Sequence, residues 1–229
     1  PQHGIAVLPM QDDCVEVLNA AAARATSSVI RFGDGGEVCA VDVVSNPEHS
    51  EFELVTPAGQ VTVHLPFAGA HNVDNALAAA AFATALQIPL AQIAQGLSQA
   101  TNVKGRLAFT RRDHLTVIDD TYNANPHSVR AAAQVLCQQA GQRILVLGDI
   151  GELGAEAHSE HHSLGADLAQ LPIQVLLAVG EYAATTIAAA QAQNPTLQAV
   201  AYTDKAALLA DLQQLLAAQP AAVCVLVKG

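Results

Sequence analysis

From about residue 110 onward, short aliphatic runs alternate with longer amphipathic stretches, and few folds accommodate that rhythm. Residues 115–119, 143–147, 175–179, 197–202 and 223–227 read as strands. Between them, 127–139, 156–168, 182–193 and 204–217 read as helices. Continuous aliphatic strands with no polar alternation are buried on both faces. Strands joined through helices form a mainly parallel sheet with helices on both sides. The expectation is a doubly wound α/β domain over 110–229, and such sheets hold ligands beyond the carboxyl ends of their strands.

Residues 1–109 have a different rhythm. A strand over 5–8 and a helix over 15–24 come first, and an antiparallel section begins at 38–44. In "EFELVTPAGQVTVHL" apolar and polar residues alternate on both sides of Pro57-Ala58-Gly59, which signals a hairpin. The alanines and leucines of "AHNVDNALAAAAFATAL" favour a helix, with Asn72 or Asp74 as its cap. Pro89 separates it from a shorter helix over 90–97. The expected boundary between the two parts lies between Arg106 and Asp113. Aromatic residues make up only 3% of the chain, so both cores must be built from Ala, Val, Leu and Ile.

The bulk properties exclude some partners. A net charge of −11 with only ten Lys and Arg argues against a nucleic-acid surface, which needs clustered cations. No apolar run reaches the ~18 residues of a membrane span. Cys14, Cys39, Cys137 and Cys224 are widely separated and form no CxxC pair, which suits free thiols in a reducing compartment. With no signal-peptide pattern at its start, the chain is expected to be cytoplasmic, and it is expected to be monomeric. It opens on Pro1 and stops just after a strand-like run, as a fragment of a longer protein would.

Polar groups gather where strands meet helices. In "GAHNVDNALAAA", Asn72 and Asn75 are three residues apart, hence on one face of a helix start. Two amides there could read a base edge, or Asn72 could cap the helix while Asn75 is solvated. In "NVKGRL", Lys104 and Arg106 flank a glycine, which suits either phosphate binding or a solvated linker. In "VIDDTYNANPHSVRAAA", Asn125 and Pro126 fit a helix start, as cap and first-turn residue. Capping leaves Asp119, Asp120, Tyr122 and Asn123 unexplained; a carboxylate at that strand end can accept from ribose hydroxyls or hold a metal-bound water. In "LGDIGELGAEAHSEHHSLG", Asp149 and Glu152 would repel a pyrophosphate but suit an ammonium group or a cation. His158 and His162, at i and i+4, are half a metal site with no third ligand, so no metal site is expected there.

In this order, "GAHNVDNALAAAA", "VKGRL", "VIDDTYNANPHS", "LGDIGELG" and "VLVKG" resemble the Mur ligase family. The DDxYNANPxS and LGDxxELG strings resemble its branch that adds D-alanyl-D-alanine to UDP-N-acetylmuramoyl-tripeptide in peptidoglycan precursor synthesis. The resemblance implies that 1–109 is the later part of a central ATP-binding domain and 110–229 a Rossmann-like carboxy-terminal domain. It implies an ATP- and Mg2+-dependent ligase working through an acyl phosphate. By resemblance, Asn72 and Asn75 contact adenine with His71 beside them, Arg106 reaches the phosphates, and Asp120 holds the ribose. Tyr122, Asn123 and Asn125 line the same cleft. Asp149, Glu152 and His161 form the catalytic set near the incoming dipeptide, and Lys228 opens a KGSR-like string. The family's GxxGKT-type phosphate loop, its UDP-sugar domain and its carbamylated lysine are not among these residues, so residues 1–229 alone are expected to fold but not to ligate. "PMQDD" departs from the family's usual string and leaves the role of Asp12 and Asp13 open. The alternatives are a folate or cyanophycin ligase, against which the DDTYNANP string argues, and a non-enzymatic nucleotide-binding module.

Overall fold

The computed structural model describes every residue except 1–3, 27, 102, 219 and 220. It divides into two compact units, residues 1–101 and 102–229.

In the first unit, β1 (Ile5–Pro9) and β2 (Ser28–Phe32) pair in parallel, with α1 (Val15–Ala25) between them in sequence. A separate antiparallel sheet has the order β3 (Cys39–Ser45), β4 (Ser50–Thr56), β5 (Gly59–Leu65). The expected hairpin is present, and Gly59 at φ +126° supplies the left-handed backbone at its turn. Strict alternation along β4 buries Phe52 and Leu54, which meet Val63 and Leu65 of β5 in one cluster. α2 (Ala70–Ala85) and α3 (Leu90–Ser98) close it with Val73, Leu77, Ala80, Ala81, Ile93 and Ala94. The core is aliphatic apart from Phe52, as the composition requires.

The second unit is one six-stranded sheet of order β10-β9-β8-β11-β7-β6. Its strands are β6 (Ala108–Arg112), β7 (Leu115–Asp120), β8 (Gln142–Leu147), β9 (Val175–Val179), β10 (Gln198–Tyr202) and β11 (Val223–Lys228). All pairings are parallel except the β6–β7 hairpin. The connecting helices are α4 (Pro126–Cys137), α5 (Ala157–Leu168), α6 (Ala183–Gln193) and α7 (Lys205–Ala217). On one face Ile144, Val146, Val175, Leu177, Val223 and Val225 pack with Leu208 and Leu212 of α7. The alternate positions Leu145, Leu176 and Leu226 point the other way and are also buried, so the sheet is covered on both sides. β11 lies between β7 and β8, which brings the last strand's end into the middle of the carboxyl edge. Every parallel strand delivers its following loop to that edge.

Candidate functional site

β7 ends on Asp119 and Asp120. Parallel register places Lys228, the last residue of β11, directly opposite Asp120. Lys228 is only 2% exposed, and its Nζ lies 2.6 Å from Asp120 Oδ2. Nζ also donates to the Asn123 carbonyl at 2.7 Å. The other carboxylate oxygen of Asp120 accepts from Leu107 N at 3.1 Å. Each Asp120 oxygen thus holds one protein partner and keeps a lone pair for a further donor such as the expected ribose hydroxyl. A buried ammonium needs a paired anion, and the strand register supplies this one. Asp119 turns the other way, accepting from Thr121 N at 3.2 Å and Thr121 Oγ1 at 2.7 Å.

Asn125 caps α4. Its Oδ1 accepts from Ser128 N at 2.7 Å, and its own N donates to Ser128 Oγ at 3.0 Å. Pro126 occupies the first turn as expected. The Asn125 side-chain oxygen belongs to the helix start, and that cap does not use the Nδ2 donors, the part of the side chain that suits the expected cleft lining.

The segment before β6 is clamped to this loop. Gly105, at φ +75°, accepts from Tyr122 N at 2.9 Å, and a Cβ there would stand only 3.0 Å from that nitrogen. Arg106 projects outward with its guanidinium carbon 4.4 Å from the Tyr122 ring centroid. Tyr122 is 64% exposed, so cation and ring form a flat platform at the surface. Lys104 and Asn123 are exposed beside it in the sequence, and Asn102 lies outside the described residues.

The loop after β8 is held just as firmly. Asp149 Oδ2 accepts from Glu181 N at 2.6 Å, and Oδ1 from Tyr182 N at 3.1 Å. Gly180, at φ +134°, makes this approach possible, since a Cβ there would fall 2.2 Å from Asp149 Oδ2. His161 is 1% exposed. Its Nε2 accepts from Ile150 N at 3.1 Å, and its Nδ1 lies 2.7 Å from the Ala157 carbonyl, which makes Nδ1 the protonated nitrogen. With both ring nitrogens on backbone, His161 has no polar atom left for a substrate. These contacts do not support a direct part for it in the expected catalytic set. Glu152 is exposed and sits at φ +63°, an uncommon backbone for a residue with a Cβ. His158 and His162 are both exposed, and among the described residues no group of three or more His, Cys, Asp or Glu could hold a metal. Asp120 and Asp149 already accept hydrogens from nitrogen. Neither belongs to a described cluster of three or more such ligands.

These loops share one cavity of about 770 Å³ at the carboxyl edge. Thr121, Asp149, Gly180 and Lys228 line it, with Leu208 and Leu212 of α7. The doubly wound pattern led to this edge.

His71, Asn72 and Asn75 belong to the first unit, in the opening turns of α2. That helix begins at Ala70, behind Gly69 at φ +91°, and has no side-chain cap. The cap expected from Asn72 or Asp74 is thus corrected, because glycine enters the turn three residues earlier than a side-chain cap at Asn72 would. Asn72 Nδ2 donates back to the Ala68 carbonyl at 2.7 Å, and Asn75 is exposed.

The family model described as "Mur ligase, glutamate ligase domain" matches residues 105–229, and that of the "Mur ligase middle domain" matches residues 1–83. The chain belongs to the Mur ligase family. The UDP-N-acetylmuramoyl-tripeptide–D-alanyl-D-alanine ligase of Escherichia coli (strain K12) is 36% identical over 234 residues, covering 100% of this chain and 50% of that protein. Crystal structure I of MurF from Acinetobacter baumannii is 45% identical with a TM-score of 0.91, covering 100% of this chain and 49% of that one. The Thermotoga maritima MurF ligase, solved in complex with ADP, shares the fold at 21% identity and a TM-score of 0.76, covering 98% of this chain and 49% of that one. The chain thus spans about half the length of these Mur ligases.

Sequence reading did not find Gly180 or Tyr182, nor the anchoring role of Lys228. Lys228 could have been inferred once β11 was set beside β7. Tyr182 offered no signal, because its partners come from the β8 loop and from α5.

Proposed function

We propose that this chain works within an ATP-dependent amide ligase that joins D-alanyl-D-alanine to UDP-N-acetylmuramoyl-tripeptide in peptidoglycan precursor synthesis. The supporting observation is that the loops of the DDTYNANP and LGDIGELG strings frame one cavity at the carboxyl edge, in a chain 45% identical to a MurF structure. In such a reaction the tripeptide carboxylate takes the γ-phosphoryl group of ATP and releases ADP. The dipeptide amine then attacks the acyl carbon, loses a proton, and expels inorganic phosphate. One difficult step becomes two easier ones, because phosphate leaves a carbonyl far more readily than oxide does.

The roles divide by unit. Residues 1–109 would be the later part of the central ATP-binding domain, where Asn72 and Asn75, with His71, read the adenine. Residues 110–229 would be the carboxy-terminal domain, approached through Arg106, which meets the phosphates beside the Tyr122 platform, with Asn123 next in the loop. Asp120 acts here as the anchor of that platform. Glu152, the exposed anion of the β8 loop, would meet the dipeptide ammonium. Mg2+ would reach the reaction bound mainly to the ATP phosphates, where it offsets their charge.

In the full-length protein, phosphate release from ATP should require both the UDP-linked tripeptide and D-alanyl-D-alanine. Asn75→Ala should raise the KM for ATP by about tenfold, the equivalent of one lost base contact. Turnover with glutamate and a folate, and none with the dipeptide, would favour the folate-type alternative.

A further inference from the structure

Two loops that are distant in sequence are closed into one ring of contacts. Asp149 accepts from the backbone of Glu181 and Tyr182. The Tyr182 ring stacks on His161, with centroids 4.6 Å apart and planes 18° from parallel. His161 in turn accepts from Ile150 N, the residue after Asp149. The ring therefore runs Asp149 to Tyr182 to His161 to Ile150 and back along the chain. Gly180 admits it, because any side chain there would collide with the Asp149 carboxylate.

We infer that Tyr182 and His161 are positioning residues that lock the Asp149–Glu152 loop, and that the turn over 180–182 is thereby part of the working site. This rests on the ligase reading above and extends it to a segment that reading does not use. Each member has one contribution. Asp149 ties the start of the loop to the entry of α6, where backbone N–H groups favour an anion. His161 holds Ile150 N, which would otherwise be an unpaired buried donor. The Tyr182 ring holds the imidazole plane so that Nε2 faces that donor. The loop then enters the left-handed conformation at Glu152 from a fixed start, and such a conformation persists only where its surroundings determine it. Loosening any member should leave the fold largely intact while Glu152 loses its fixed direction. The nucleotide platform of Arg106 and Tyr122 stands on a different loop and takes no part in the ring.

The test compares Tyr182→Leu, Tyr182→Phe and His161→Phe with the wild type in the full-length protein. Amide exchange at Ile150 and Tyr182 is measured alongside the kinetic constants and the thermal midpoint. Tyr182→Leu and His161→Phe should raise the KM for D-alanyl-D-alanine about tenfold or more, with the KM for ATP within about twofold of wild type. Tyr182→Phe keeps the stacked ring and should restore wild-type values. Exchange at Ile150 should quicken in Tyr182→Leu and His161→Phe and not in Tyr182→Phe. Equal rises in both KM values, or an unchanged dipeptide KM with the fold intact, would overturn the inference. If the wild type does not use the dipeptide at all, the ligase reading fails. Exchange then decides the lock by itself: quickening supports it and unchanged protection refutes it. Should Tyr182→Leu fail to fold, His161→Phe and His161→Gln carry the same comparison.

Discussion

Lys228→Ala should destabilise the second unit by about 3–5 kcal/mol, the range for removing one partner of a buried ion pair. The Lys228 side chain is 2% exposed and that of Asp120 13%, so water can do little for the charge left behind. Among the described residues Asp120 would keep the Leu107 N–H as a donor, and the Asn123 carbonyl would lose its 2.7 Å partner. Three pieces of chain meet at this ion pair: the end of β11 and the end of β7 with its loop through the ammonium, and the segment entering β6 through the carboxylate. Losing the lysine therefore loosens the Gly105–Leu107 clamp as well as the sheet edge. Lys228→Met should be nearly as harmful, because it keeps the volume but not the charge. The double variant Lys228→Met with Asp120→Asn should recover part of the loss, since the stranded carboxylate is gone. Denaturant unfolding, with exchange at β7 and β11 to assign the transition, measures all three. A loss below about 1 kcal/mol for Lys228→Ala would place the pair among the weak, solvated ones.

How much of this could be read in advance depended on whether the cause was local. The strands β8, β9 and β11 were legible because burial on both faces leaves a run of aliphatic residues, and β7 because its aliphatic start leads straight into Asp119 and Asp120. The two elements that went unread, β2 and β6, carry no such run. "SVIRF" mixes serine and arginine with its apolar residues, and "AFTRR" ends on two arginines, as an edge strand that resists further pairing often does. The cap of α4 was legible because Asn125, Pro126 and Ser128 are neighbours in sequence. The start of α2 was misread because Gly69 acts through φ, which no composition announces. The same division holds at the site. The strings mark which loops matter, but the state of Asp120, Asp149 and His161 depends on Lys228, Glu181 and Tyr182, which reach them only through strand order. A polar residue in a motif can be a ligand or a strut, and only its partners decide which.

Glycine shows the same dependence on partners, and Gly165→Ala and Gly96→Ala should move stability in opposite directions. Both glycines lie within helices, where alanine has the higher intrinsic propensity by roughly 1 kcal/mol. Gly96 is exposed in α3, and a Cβ there meets nothing within 4 Å. Its replacement should stabilise the first unit by about 0.5–1 kcal/mol, mostly by restricting the unfolded chain. Gly165 is buried in α5, where a Cβ would fall 2.1 Å from the Thr186 carbonyl oxygen and 2.9 Å from its carbon. Those are backbone atoms of α6, so no side-chain rotation relieves the collision. The two helices must separate, leaving space between Leu164, Leu168 and Ile187 that the added methyl does not fill. Overpacking of this kind costs about 1–3 kcal/mol, and the helix displacement puts Gly165→Ala at the upper end. Gly165→Val, with two more methyl groups on a face without room for one, should cost more still. The displacement has a functional reading too. α6 begins just after Tyr182, so pushing it away from α5 pulls on the turn that holds Asp149 and on the ring that holds His161. On the proposed ligase reading, Gly165→Ala in the full-length protein should therefore weaken use of the dipeptide before it unfolds the protein, whereas Gly96→Ala should leave the kinetics unchanged. Thermal unfolding and dipeptide KM for the two variants check the pair, and a stabilised or kinetically normal Gly165→Ala would show that α5 and α6 are free to part.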